Sequence, residues 1–326
     1  MRVSFLRLLM AAFLVSASGC TAFRINLFGG DPEPLREFTI EGQAKGKVLV
    51  ISVRGVISDA PRKRVFTSQP GTVEALVAQL RKAKKDPQIK AIVLKVDSPG
   101  GTTTASDILY RELLDFKQQT GAVIVAALMG VAASGGYYIS LPADFILAHP
   151  TTLTGSIGVI FLRPGVSGLM GKLGLEVEVA KSGANKDMGS PFRPPTAGER
   201  TIFQSLTDRL GERFLQLVST HRRLTPEALS DIATARVYLA PEALGLGLID
   251  QIGYLPDALG EARRRAALPE DSRVIVYRRR EFPDDTLYNP QTGFDGGLPP
   301  AVVDLGHLTD RTAGFYYLWP AAAFNE

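Results

Sequence analysis

Apolar residues recur along this chain in two alternating rhythms, and the alternation predicts its architecture. The run KVLVISVRGVI at 47–57 is dense in valine and isoleucine, as a buried strand demands. Val73, Leu76, Val77 and Leu80 then return at helical spacing, and Pro87 closes that helix because proline lacks the N–H the next turn needs. IKAIVLKV (89–96) predicts a second strand, DSPGG (97–101) a turn, and 104–118 a helix with Ile108, Leu109 and Leu113 on one side. AVIVAAL (122–128) predicts a third strand, and helical spacing continues at 198–222, 226–233 and 255–267. Strands and helices that alternate in this way point to an α/β fold with parallel strands, right-handed crossovers and flanking helices. No second copy of SGGYY or DSPGG is present, so the chain is not a tandem repeat.

Composition narrows the function classes. With 326 residues, 45% of them apolar, the chain can bury a full core. The net charge of +4 makes no case for nucleic acid as a partner. The basic runs at 81–85, 263–265 and 278–280 read as solvated faces. The first twenty residues, MRVSFLRLLMAAFLVSASGC, open with arginines, have an apolar middle from Leu8 to Ala17 that is short for a bilayer span, and end on small residues before Cys20. That pattern predicts a secretory signal over 1–19. Cys20 is the only cysteine, so no disulfide forms within the chain. Ala-Ser-Gly-Cys is similar to the lipobox of bacterial lipoproteins, which implies acylation of Cys20 and an exported, membrane-anchored protein facing the periplasm or the cell exterior. Residues 20–45, with Gly-Gly and Pro-x-Pro but no sustained period, predict a tether before a folded domain at 46–275. From 276 to 326 the chain turns glycine- and proline-rich and then aromatic, as either a packed extension or a contact surface.

The stretch MGVAASGGYYIS sets one serine, Ser134, between two alanines and two glycines, just after a predicted strand. A serine attacks a carbonyl only when a base takes its proton and donors hold the oxyanion. Gly135 and Gly136 allow close backbone approach, and Gly100 and Gly101 of DSPGG can present N–H groups at dihedrals other residues avoid. Ala132 stands where the G-x-S-x-G elbow has glycine, so this is not the ordinary α/β-hydrolase turn. The three histidines, His149, His221 and His307, read as surface or packing residues. A neutral lysine would serve instead, once burial brings its pKa from about 10.4 toward 7 or 8, a change of roughly 4 kcal/mol. VEVAKSGANKDMGSPF (177–192) offers Lys181 and Lys186, and Asp187 would point away from Lys186 on an extended chain.

Taken together, AASGGYYIS, TLTGSIGV (152–159), KSGANKDMGSP (181–191) and DSPGG, in that spacing over about 46–275, resemble the bacterial signal peptide peptidase A family, also called protease IV. The resemblance implies a Ser/Lys dyad with Ser134 as nucleophile and Lys186 as general base. It also implies Ser156 as the hydroxyl that orients the lysine, and backbone N–H groups of Gly100 or Gly101 and of Gly135 as the oxyanion hole. The implied fold is the Clp protease/crotonase type, stacked β-β-α units. The implied assembly is a homo-oligomeric ring that completes the dyad between neighbouring units. Cleaved signal peptides and other apolar peptides would be the substrates, without metal or nucleotide cofactor, in an apolar groove along 137–141 and 157–161. Two other functions compete on the same fold: acyl-CoA chemistry that uses only the paired glycine N–H groups, and a non-catalytic ring that scaffolds membrane partners. Neither assigns a role to Ser134, Ser156 and Lys186 together.

Overall fold

The computed structural model describes residues 33–63, 68–282, 284–289 and 313–323. The predicted signal 1–19, Cys20 and His307 lie outside them. Order begins with two strands, β1 (Arg36–Glu41) and β2 (Ala44–Arg54), a short hairpin of β3 (Arg62–Lys63) and β4 (Ser68–Gln69), and helix α1 (Thr72–Ala83). Strands β5 (Ile89–Ser98) and β6 (Gly100–Thr102) lead into α2 (Thr103–Thr120), β7 (Val123–Ala133) and a single helical turn, α3 (Gly135–Tyr138). Then come β8 (Phe145–Ala148), β9 (Leu153–Gly155), β10 (Ile160–Leu162), α4 (Ser167–Leu173), the long α5 (Ala197–His221) and α6 (Pro226–Ile232). The last elements are β11 (Val237–Leu239), α7 (Ala240–Gly245), β12 (Gln251–Ile252), α8 (Leu255–Arg265), β13 (Ser272–Arg278) and β14 (Gly314–Leu318).

The main sheet runs β1-β13-β2-β5-β7-β8-β12, with β9 and β11 continuing from β7. The pairs β13/β2, β2/β5, β5/β7 and β7/β8 are parallel, as the strand–helix alternation predicts. Side-chain alternation divides the apolar residues between two faces. Leu49, Ile51, Ile92, Leu94, Ile124 and Ala126 face the larger core with Leu76, Leu80, Leu109 and Leu113 of α1 and α2. Val48, Val50, Val93, Val125 and Val276 face the other side, which α8 covers with Leu255, Ala258, Leu259 and Ala262. Both faces of the central strands are therefore dry, which explains why their sequences read as continuous apolar runs.

Two differences from the sequence expectation stand out, and one open alternative is decided. The stretch read as tether contains β1, which pairs antiparallel with β13 from Arg36 opposite Arg278 to Glu41 opposite Val274. The charges of REFTIE dilute its alternation of exposed and half-buried residues, so the apolar period is faint. The domain boundary placed at 275 falls inside β13, whose Val276 and Tyr277 are core residues. The aromatic end of the extension is packed: β14 lies between β10 and β6 in a second, three-stranded sheet.

Candidate active site

Ser134 sits where β7 ends and α3 begins, with φ 52° and ψ −116°. Such a backbone costs a non-glycine residue roughly 1–3 kcal/mol and persists only where neighbours enforce it. Here the Ser134 N–H donates to the Gly155 carbonyl at 2.8 Å, and the Tyr138 N–H donates to the Ser134 carbonyl at 2.9 Å. The side chain is buried, yet its Oγ has no hydrogen-bond partner. Buried serine hydroxyls mostly find a partner, as those of Ser98, Ser106 and Ser140 do; Ser52 Oγ is the other buried serine oxygen without one among the described residues. Ser134 is strained and buried, and its hydroxyl is uncommitted.

Ser156 is its neighbour by construction. The parallel pairing of β7 with β9 puts Ala133 beside Gly155, so the serines that follow each of them emerge side by side. Ser156 also has positive φ, 50°, and its N–H donates to the Arg236 carbonyl at 2.8 Å. Gly155 carries φ 85°, and a methyl there would come within 2.4 Å of the Tyr238 ring, so this turn requires glycine.

The DSPGG loop closes on Ser134 from the adjacent strand. Gly100 has φ 99°, and a Cβ on it would lie 2.0 Å from the Tyr317 carbonyl oxygen and 2.6 Å from the Gly135 nitrogen. The two glycine segments therefore meet with no room for a side chain. Of the two candidate loop donors, Gly100 is already engaged, because its N–H donates to Ser98 Oγ at 3.1 Å while that hydroxyl donates to the Gly55 carbonyl at 2.7 Å. Gly101 is the residue that pairs with Tyr317 across the sheet edge. Gly100 makes the close approach to the Gly135 segment, and Gly101 lies on the edge that pairs with Tyr317.

Lys186 is not brought to Ser134 within the chain. It is exposed on an irregular stretch between α4 and α5, and Ser134 Oγ is without any partner. The turn that carries it is stapled by its neighbour: Asp187 accepts from Lys181 Nζ at 2.7 Å and from Arg193 Nε at 2.8 Å, and Arg193 also binds the buried Glu199 of α5. Hydrogen bonds from Arg193 and Lys181 hold the Asp187 carboxyl far below the usual carboxylate range. Lys181, the other lysine candidate, is therefore committed to an ion pair. Along the same stretch Leu173, Leu175, Val177 and Val179 all face solvent, between 48% and 63% exposed.

The histidines are occupied elsewhere. His149 Nδ1 lies 2.9 Å from Thr151 Oγ1, and His221 Nε2 lies 2.8 Å from the Tyr110 hydroxyl. Burial, together with Lys117 and Arg222, pushes the His221 pKa down. Among the described residues, no cluster of three or more His, Cys, Asp or Glu side chains is placed to hold a metal ion.

The groove expected along 137–141 is mostly core: Tyr137 is fully buried with its hydroxyl donating to the Leu248 carbonyl at 2.7 Å, and Ile139 and Leu141 are equally enclosed. Tyr138 of that stretch stacks on Tyr317 of β14. On the other side Ile160 and Phe161 pair with Tyr316 and Phe315. Sequence reasoning did not single out Phe214 or Tyr317, which with Tyr138 form one aromatic cluster beside the glycine loop. Only the repeated tyrosines of SGGYY and GFYYLW hinted at it.

Residues 116–269 match the model of peptidase family S49. An Enterococcus faecium protein named "Putative signal peptide peptidase SppA" is 37% identical over 263 residues, covering 80% of this chain and 76% of that one. "Protease 4" of Salmonella typhi is 34% identical over 260 residues, 79% of this chain but only 41% of that longer protein. Among solved structures, a mutant of ClpP1 from Listeria monocytogenes aligns at 18% identity with a TM-score of 0.41, over 64% of this chain and 94% of that one.

Proposed function

The chain belongs to peptidase family S49, the signal peptide peptidase A family, and is a serine peptidase; from that premise we propose that Ser134 is its nucleophile and Lys186 its general base. The observation that carries this reading is the buried Ser134 Oγ, held on a strained turn with no hydrogen-bond partner. In the proposed reaction the neutral lysine amine takes the Ser134 proton as Oγ adds to the peptide carbonyl. The N–H groups of Gly101 and Gly135 hold the oxyanion. The protonated amine then hands its proton to the departing amine, leaving an ester on Ser134. Water, deprotonated by the same lysine, releases the acid and restores the serine. Ser156, beside Ser134, orients the amine.

The base comes from a second copy of the chain. Lys186 is solvent-exposed in the protomer, and the apolar edge at 173–179 next to it is the surface a neighbouring subunit would cover. Burial in that contact would disfavour the ammonium form, which is what a lysine base requires. A homo-oligomeric ring follows, inactive as separate protomers. Substrates are apolar peptides such as cleaved signal peptides. Among the described residues no helix is long and apolar enough to cross a membrane, and acylated Cys20 supplies the anchor in this reading.

Treating membrane-extracted full-length protein with a serine-directed phosphonate and mapping it by mass spectrometry tests the assignment. A phosphonyl adduct on Ser134 and a diacyl mass on Cys20 are expected. An adduct on any other serine, or peptide cleavage that persists in Ser134→Ala, overturns the nucleophile.

A further inference from the structure

Lys186 rides on a stretch, 174–196, that contains no helix or strand, so its amine can be aimed only if side chains hold the backbone around it. One residue does most of the holding, and its role depends on Lys186 being the base, the reading on which this inference rests. Arg193 donates all five N–H bonds that a guanidinium can make. Its Nε binds an Asp187 carboxylate oxygen at 2.8 Å, and its Nη2 the Asp187 carbonyl at 3.2 Å. Nη1 and Nη2 each take one oxygen of Glu199, the former at 3.1 Å, and Nη1 also reaches the Pro194 carbonyl at 3.1 Å.

Glu199 is a rigid post. It is 2% exposed, lies in the first turn of α5, and closes a capping box with Thr196 through bonds of 3.0 and 3.2 Å. The helix is itself seated in the core by Phe214 and Val218. At the other end Asp187 closes the turn that carries the lysine. Lys181 Nζ donates to Asp187 at 2.7 Å and to the Ala184 carbonyl at 3.1 Å, while the Lys186 N–H donates to the Gly183 carbonyl at 3.1 Å. Arg163, just past β10, braces the stretch by donating to the Ser190 and Arg193 carbonyls. Charge-assisted bonds thus run from a buried carboxylate on a long helix, through Arg193, to the residue beside the amine.

Charge follows the same path. On the lysine's own stretch stand Lys181, Asp187 and Arg193, on α5 stands Glu199, and Arg163 adds a cation on the β10 side. A bare carboxylate next to Lys186 would favour its ammonium form, which cannot take a proton from serine. Arg193 offsets that effect by pairing with both carboxylates.

We propose that Arg193 is the positioning residue of the lysine base: its fully donated guanidinium fixes the Lys186 turn to the buried Glu199 and cancels the carboxylate charge beside the amine. Arg193→Lys keeps the charge but offers three donors and no planar fork, whereas Arg193→Gln loses both charge and fork.

The test measures kcat, KM and the pH profile of kcat for hydrolysis of an apolar peptide by full-length wild-type, Arg193→Lys, Arg193→Gln and Arg193→Gln/Asp187→Asn enzymes. Lys186→Ala is the reference, and particle size and melting temperature are recorded for each. Arg193→Lys should lose roughly 10- to 100-fold in kcat, with KM within about twofold and the midpoint of the pH profile unmoved. Arg193→Gln should lose as much, and its midpoint should rise by about 0.5 unit, because activity needs the neutral amine and the uncompensated carboxylate holds the proton on it. Removing that carboxylate in the double variant should bring the midpoint back while kcat stays low. An arginine that only stabilised the fold would lower the melting temperature and leave the midpoint in place. That result overturns the proposal, as does wild-type kcat in Arg193→Lys. Should Arg193→Gln fail to assemble, Arg193→Lys decides alone, through kcat at constant KM. Wild-type hydrolysis by Lys186→Ala would reject the base itself, whereas inactive Lys186→Ala beside fully active Arg193→Gln rejects only the positioning role.

Discussion

Replacing Gly100 by alanine puts the geometry of the site under direct strain. Its φ of 99° is one an L residue rarely adopts, and the added methyl would sit 2.0 Å from the Tyr317 carbonyl oxygen and 2.6 Å from the Gly135 nitrogen. Both are backbone atoms, so no side chain can swing aside. The backbone penalty is roughly 1–3 kcal/mol and the overpacking a further 1–3, together about 2–6 kcal/mol. In a domain of this size that lowers the melting temperature by on the order of 10 °C. In the proposed reaction the Gly135 N–H would also be pushed off the oxyanion, and loss of one such donor reduces kcat by roughly 100- to 1000-fold. Gly121→Ala is the control: its φ of 67° brings strain of about 1 kcal/mol, but nothing lies within 4 Å of the added methyl and the helix end it caps is away from the site. Calorimetry and peptide hydrolysis on both variants separate the contributions. A Gly100→Ala enzyme that keeps wild-type kcat, or that melts no lower than Gly121→Ala, would refute the argument that the two glycine segments must touch.

Ser98→Ala removes the hydroxyl that accepts from Gly100 and donates to the Gly55 carbonyl, leaving two buried groups unpaired; denaturant unfolding should show a loss of about 1–3 kcal/mol, and kcat should fall with it. Asp187→Asn loosens the staple from Lys181 and Arg193 without touching Ser134, so kcat should drop by up to roughly 100-fold while the melting temperature barely moves. The His221 ring, with its pKa depressed below the ordinary 6.5 by burial and by Lys117 and Arg222, should titrate below that value by NMR. Because the folded state favours the neutral ring, this residue's contribution to stability is full above about pH 6.5 and fades as pH falls through the depressed pKa, so the acid-side slope should shrink in His221→Gln. A titration at or above 6.5 would contradict that account.

Much of the fold was legible because long elements carry their own period. The strands at 47–54, 89–96 and 122–128 and the helices beginning near 72, 103, 197 and 255 all appear where apolar spacing places them. What escaped was short or non-local. Strands β6, β9, β10 and β11 have three residues each, too few for any alternation to register. β14 owes its existence to two partners more than 150 residues away in sequence, and nothing within GFYYLW names them. In the site, the strand–serine–glycine order located Ser134, and the turn chemistry of DSPGG located the glycine loop. The Gly100 N–H is engaged by Ser98 Oγ, a contact that only the folded backbone creates. Only resemblance separates Lys186 from Lys181 in the sequence, and the ion pair that Lys181 makes with Asp187 is not legible there.

The proposal stands or falls on whether Lys186 of one subunit serves Ser134 of another. Purified Ser134→Ala and Lys186→Ala proteins should each be inactive toward an apolar peptide, and co-refolding the two so that subunits mix should restore a measurable fraction of wild-type hydrolysis. If mixed assemblies form but stay inactive, or if either single variant hydrolyses the peptide on its own, the shared Ser/Lys site is wrong.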